Sequence, residues 1–323
     1  MNVLVYGSMA YDQIMDFPDS FDRHILPSEI KKLNVSFTVS EFKQTFGGTA
    51  GNIAYNLALL KIKPVLHAAV GRDFDRYESR FKKLGINISG VKKYPRTITA
   101  SAYIITDKKD NQITGFFPGA LIFKAKKPSV KKGDLAIIAP GNALEMLELA
   151  DYYYDKKTFF IFDPGQQIIS FTKNQLRQTI EKASLYVVND YELSLTKKIT
   201  GYDQATILKK AGILITTLGA QGSVIDLNFK NQTARVKIRP AKPVIAKDPT
   251  GSGDAYRAGL IKGLVLNQRL LKKPLKLPWL TIGQLASLAG TYAVENYGTQ
   301  NHQYTFEQFK TRYFKEFKLK LTR

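Results

Sequence analysis

The sequence predicts an α/β fold: a doubly wound, mainly parallel sheet flanked by helices, with a small β lid over one edge. Three observations carry this expectation. Short apolar runs rich in branched residues alternate with helical stretches, two other segments alternate residue by residue, and the chain beyond Gly251 turns mainly helical.

In chain order, strands are expected at Val3–Tyr6, Val65–Val70, Leu135–Ala139, Phe159–Phe162, Leu185–Val188 and Ile213–Thr216. Each is mainly apolar and rich in branched residues, the pattern of a strand buried on both faces. Helices are expected between them at Ala50–Leu60, Phe74–Leu84, Ala143–Asp155, Lys173–Lys182 and Gln204–Lys210, then at Ser252–Asn267, Thr281–Asn296 and Thr305–Phe317. The lid comes from residues of about 13–46 and from Thr97–Phe117, where Thr99, Ser101 and Tyr103 interleave with apolar residues ahead of an Asp107–Asn111 turn. Residues 1–323 read as one domain, because single cores stop growing near about 250–300 residues.

Composition narrows the function classes. With 48 Lys and Arg against 27 Asp and Glu, the net charge is +21. The lysines are spread as pairs, densest from Lys310 to Arg323, without zinc-finger spacing or an RNA-recognition aromatic motif. A solvated basic surface that attracts anionic nucleotides is therefore expected, with no specific nucleic-acid partner. No run of 18 apolar residues is present, so no membrane partner is expected. Met1–Gly7 lacks the basic start of a signal peptide and reads as a first strand, which places the chain in the cytoplasm as an expectation. The absence of cysteine excludes disulfides, thiolate nucleophiles and zinc–thiolate sites.

The segment Asp248-Pro249-Thr250-Gly251-Ser252-Gly253-Asp254 stands directly before a helical stretch. Its glycines leave backbone amides open at a helix N-terminus, where they and the dipole suit an anion such as a phosphate. Asp254 in the same turn would repel a resting phosphate, so its functional reading is as a base for an attacking hydroxyl; complementing the helix dipole is the other reading open to it. Neither GxxxxGK[ST] nor GxGxxG is present here. Gly47-Gly48-Thr49-Ala50-Gly51-Asn52 is a second glycine-rich helix entry, in which Asn52 offers a donor and an acceptor to sugar hydroxyls, or the segment is simply a tight turn.

Together these two segments resemble the two signatures of the PfkB family of carbohydrate kinases, which includes ribokinase, fructokinase and adenosine kinase. The resemblance runs the length of the chain and implies a ribokinase-like fold. It implies Asp254 as catalytic base, the amides of Gly251, Ser252 and Gly253 as anion hole, and Asp12, Gly47, Gly48 and Asn52 around the substrate. Asn189-Asp190-Tyr191-Glu192 is similar to the family's Asn-x-x-Glu, so Glu192 would order Mg²⁺ and its waters; the same spacing is a helix capping box. Asn189, Thr217, Gly219 and Gly222 would meet the nucleotide, and Tyr292–Gly298, with Asn296, lies where the family packs adenine and a monovalent cation such as K⁺. ATP and Mg²⁺ are the implied cofactors. Pro249 stands where the family has threonine, and Ser252 often aligns with alanine; neither places Asp254 in doubt. Gly71-Arg72-Asp73 receives no role, and Arg257 is expected to make a surface salt bridge.

Aromatic residues in the lid, Tyr103, Phe116 and Phe117, and the Asp163–Gln166 turn resemble the adenosine and nucleoside kinase branch. Adenosine is thus the expected substrate, with phosphorylation of ribose, fructose or another sugar as the alternative. The phenylalanines could equally be lid core. A binding or regulatory protein without turnover is the reading from another class. None of His24, His67 and His302 falls in these motifs. Both a monomer and a homodimer remain compatible with the sequence.

Overall fold

The computed structural model describes residues 1–25, 31, 34–109, 111–229 and 232–321. Parts of the first lid segment, the turn residue at 110 and the chain end at 322–323 lie outside the described residues. The elements in order are β1 (Val3–Tyr6), β2 (Ala10–Asp16), β3 (Glu41–Gly47), α1 (Thr49–Leu59), β4 (Val65–His67), β5 (Ala69–Gly71), α2 (Asp75–Lys83), β6 (Lys92–Tyr94), β7 (Ala100–Thr106), β8 (Gln112–Phe117) and β9 (Leu135–Ile138). They continue with α3 (Ala143–Asp155), β10 (Phe159–Phe162), α4 (Lys173–Lys182), β11 (Leu185–Asn189), α5 (Asp190–Thr200), α6 (Gln204–Ala211), β12 (Ile213–Thr217), β13 (Ser223–Phe229), β14 (Gln232–Ile238), α7 (Ser252–Leu266), α8 (Trp279–Val294) and α9 (Phe306–Phe317).

Eight strands form the main sheet in the order β14-β13-β12-β11-β10-β9-β1-β4. From β4 to β12 neighbours are parallel, and only β13 and β14 join antiparallel. Strand residues alternate between two cores. Val3, Val5, Ile137 and Val187 pack with α1, α2, α7, α8 and α9, whereas Leu4, Tyr6, Ile138 and Val188 pack with α3 to α6. Burial on both faces is why these runs are mainly apolar. Each fully buried side chain of this size contributes about 1.5–3 kcal/mol.

The expected doubly wound sheet is therefore present, with local differences. Val65–Val70 is two strands: β4 stays in the main sheet and β5 leaves it to pair with β6. The β13–β14 hairpin was not expected, α5 starts at the capping box that Asn189–Glu192 offered, and α8 begins and ends two residues before its predicted bounds.

A second, four-stranded sheet has the order β3-β2-β7-β8 and contains both predicted lid segments. Its register separates two faces. Thr45, Asp12, Ala102 and Phe116 lie opposite one another in one row, and Phe46, Tyr11, Ser101 and Phe117 in the next. Because side chains alternate across a sheet, Phe116 shares the face of Asp12, while Phe117 and Tyr103 project from the other. Tyr103 is thus removed from the group of lid aromatics that could meet a substrate beside Asp12.

Candidate active site

In a parallel sheet all strands end on one side, and ligands bind outside those carboxyl ends. Pro140 follows β9, Asp163 follows β10, Asn189 closes β11 and Thr217 closes β12. Together with Thr49 at the start of α1 and Gly251–Asp254 at the start of α7, they line one cleft of about 440 Å³. Gly165, Gln166, Asp190, Glu192, Gly219 and Arg257 complete most of its wall.

The two glycine-rich turns are built for close approach. Gly48 has φ +86°, and a Cβ there would lie 2.5 Å from the Ala10 amide nitrogen and 2.6 Å from the Ser8 carbonyl oxygen. Gly251 has φ +77° and caps α7, with Thr299 2.9 Å from where its Cβ would stand. Among the anion-hole candidates the Ser252 amide donates to Pro249 O at 3.1 Å. The amides of Gly251 and Gly253 have no acceptor among the described residues, so they are the two left free for an anion.

Asp254 reaches the floor of the cleft at the first turn of α7. Asn52 Nδ2 donates to its Oδ2 at 2.8 Å across 202 residues of sequence. Gln300 Nε2 donates in turn to Asn52 Oδ1 at 2.9 Å, and this fixes which end of the Asn52 amide faces Asp254. Tyr77, whose hydroxyl also meets Gln300, donates to Gly47 O at 2.8 Å. Sequence reasoning missed Gln300 and Tyr77. Asn52, expected to serve sugar hydroxyls, spends one of its two N–H donors on Asp254.

Electrostatically the cleft is acidic within a basic protein: Asp163, Asp190, Glu192 and Asp254 line it against one guanidinium, Arg257. Desolvation raises the Asp254 carboxyl to about 7; the Asn52 hydrogen bond opposes this and the Asp163 charge adds to it. Burial likewise lifts Asp12 to about 6. Arg257 corrects an expectation, for it is buried rather than on the surface. Its Nε and Nη2 grip the Asp163 carboxylate at 2.9 and 3.0 Å, both side chains being under 10 % exposed. The resulting fork ties the second turn of α7 to the end of β10.

Asn189 and Glu192 form the capping box of α5: Glu192 N donates to Asn189 Oδ1 at 2.7 Å, and Asn189 N donates to Glu192 Oε2 at 2.8 Å. They also line the cleft, so both readings of the quartet coexist in one place. Burial raises the Glu192 carboxyl, and the Asp163 charge adds to the effect. No group of three His, Cys, Asp or Glu among the described residues could cage a metal ion. Scattered hard oxygens facing an anion site suit a hydrated Mg²⁺ carried with phosphates, which keeps most of its waters.

Of the other expected residues, Thr217 and Gly219 line the cleft, whereas Gly222 and Asn296 do not. Gly222 shapes the turn behind it, accepting from Leu218 N at 2.8 Å, and Asn296 folds back on Tyr292 O at 3.3 Å. Asp12 lies beside Gly47, where any Cβ would stand 2.5 Å from its carboxylate. Asp248 ties the turn before α7 to the segment expected to meet the adenine and a monovalent cation, accepting from Thr250 N and Gly298 N at 2.9 Å each.

Comparison with known proteins agrees with this geometry. Residues 2–305 match the family described as pfkB family carbohydrate kinase. A nucleoside kinase of Methanocaldococcus jannaschii is 30% identical over 282 residues, covering 86% of this chain and 89% of that protein. The structure of a Burkholderia thailandensis nucleoside kinase in complex with inosine superposes with TM-score 0.82 at 34% identity, covering 98% of this chain and 99% of the other. The same protein in complex with ADP-inosine gives TM-score 0.79 at 34% identity, covering 98% and 97%.

Proposed function

We propose that this chain, which belongs to the pfkB family of carbohydrate kinases, phosphorylates a nucleoside at the expense of ATP, with adenosine as its substrate. As a member of that family it is a phosphotransferase with a hydroxyl acceptor. The observation that carries the reading is the Asp254 carboxylate, poised near neutrality between the free amides of Gly251 and Gly253 and the donating amide of Asn52.

A substrate hydroxyl placed between Asp12, Asn52 and Asp254 would pass its proton to Asp254 as it attacks the γ-phosphoryl group. The amides of Gly251 and Gly253 would take up charge on the transferring group. Asn189, Thr217 and Gly219 would border the nucleotide, and Glu192 would receive hydrated Mg²⁺, which supplies charge neutralisation. The cleft's own excess of carboxylates supports this, since ATP without a divalent cation would be repelled there. A potassium ion near Tyr292–Gly298 belongs to the same reading.

The nucleoside preference rests on Phe116, which is exposed and lies on the Asp12 face of the lid, where a base could stack. The named relatives are consistent with it. A panel of adenosine, inosine, cytidine, ribose and fructose, with ATP consumption as readout, tests the assignment. Efficient use of ribose or fructose with nucleosides ignored would replace the nucleoside by a sugar; no consumption with any acceptor would leave a nucleotide-binding regulator.

A further inference from the structure

A second cleft lies apart from the candidate active site. It has a volume of about 980 Å³ and is walled by Phe46, by α1, by α2 and by the segment that leads into α9. Its volume is in the range of small-molecule sites, about 300–1,000 Å³. Three cations, Arg76, Arg80 and Lys83, line it from α2 at spacings of four and three residues, which places them along one helix face. No Asp or Glu is among its lining residues. Arg76 and Lys83 are exposed, while Arg80 lies partly buried below them.

The floor is aromatic. Arg80 lies over the rings of Phe46 at 4.8 Å and Tyr55 at 5.0 Å. Two buried polar groups in this wall lack partners among the described residues: the Nε of Arg80, and the hydroxyl of Tyr304, a residue only 7% exposed. Buried polar atoms without partners are costly and uncommon, and here both belong to residues that line the cavity. Cations above an aromatic surface together describe a site for an anion carried on a ring.

A direct connection leads from this cleft to the candidate base. Arg80 Nη2 donates to Gln300 O at 2.8 Å, the Gln300 side chain orients Asn52, and Asn52 holds Asp254. A ligand that draws on Arg80 therefore acts on a residue two hydrogen-bonded contacts from Asn52. We propose that the cleft is an effector site for a phosphate monoester borne on a ring, the phosphate meeting Arg76 and Lys83, and that its occupancy alters turnover through Arg80, Gln300 and Asn52.

The test is a calorimetric titration of the full chain with AMP, ribose 5-phosphate and inorganic phosphate, beside the double variant Arg76→Gln/Lys83→Gln. Ser79→Trp, which fills the cleft without changing its charge, is the second variant. Wild type should bind AMP or ribose 5-phosphate at two sites per chain, and each variant at one. Whichever of the two binds more tightly tells a nucleotide from a sugar phosphate as the natural source. Turnover without added effector should stay within about twofold in both variants, while the severalfold change in kcat/KM that the effector causes in wild type, beyond competition at the active site, should vanish. One site in wild type, an unaltered second site in both variants, inorganic phosphate binding as tightly as the ring-borne esters, or binding with no change in kcat/KM would each overturn the proposal. The binding arm needs no turnover, so it stands apart from the choice of acceptor.

Discussion

Asp254 combines two properties that a free carboxylate lacks, an acidity moved to about 7 by desolvation and a fixed orientation from Asn52. Replacing it by Asn keeps the shape and removes the proton acceptor, so turnover should fall on the order of 10²–10⁴-fold while ATP still binds. In wild type kcat/KM should rise with pH through a value near 7, and the variant should lose that limb. Imidazole is a poor rival for it, because burial pushes His302 down to about 4 and lowers His67 as well. Stability gives an independent check. The folded pKa of Asp254 is raised above the ordinary 3.8, so its protonated form is favoured in the fold and stability is lost as pH rises from about 4 through 7. Asp254→Asn should therefore gain thermal stability over wild type at pH 8 and show no gain below pH 4. A second prediction concerns Arg257, whose loss would strand the Asp163 carboxylate in the interior. Arg257→Ala should cost about 3–5 kcal/mol in denaturant unfolding. A value within about 0.5 kcal/mol of wild type would restore the surface salt bridge that the sequence suggested.

Among elements, the lid offers the sharpest discrimination, because one register separates two adjacent phenylalanines. Phe116→Ala should raise KM for a nucleoside by about ten- to a hundredfold and leave any activity on ribose nearly unchanged, since a free sugar has no base to stack. Phe117→Ala, on the opposite face, should leave both nearly unchanged. Equal losses on both acceptors would mean that Phe116 serves the packing of the lid. The sequence showed that both rings were in a strand but not which face each took, for that depends on pairing with β2. Other elements were legible where their signals are local. α3 and α4 begin where Asn142 and Thr172 cap them, each accepting from amides of the first turn. The break between β4 and β5 was hidden inside a mainly apolar run, and β14, mostly exposed and rich in polar residues, resembled a loop. At the site, Asp254 and Asn52 could be read from glycine turns. Gln300 could not, because its partner is 248 residues away and its own neighbours carry no pattern. The Gly71–Asp73 segment, assigned no role, anchors the lid: Asp73 Oδ1 accepts from Thr99 N at 2.7 Å just before β7.

At the scale of the whole molecule, the charge and the site have opposite signs. The chain carries +21, yet four carboxylates and one arginine line the cleft where a nucleotide would bind. Long-range attraction would therefore come from the body of the protein, while local complementarity would depend on the divalent cation proposed to accompany the phosphates. Such attraction acts before contact and is screened over a Debye length of about 10 Å at 0.1 M salt. Raising ionic strength from about 0.05 to 0.5 M with Mg²⁺ held in excess should thus lower kcat/KM for ATP severalfold, through slower encounter, and change kcat little. The same measurement on a neutral nucleoside should show almost no dependence, because that acceptor feels no net field. If kcat/KM for both substrates fell together, salt would be acting on the fold or on Mg²⁺ retention. If neither moved, the basic surface would have no part in gathering the nucleotide, and its charge would serve something outside this reaction.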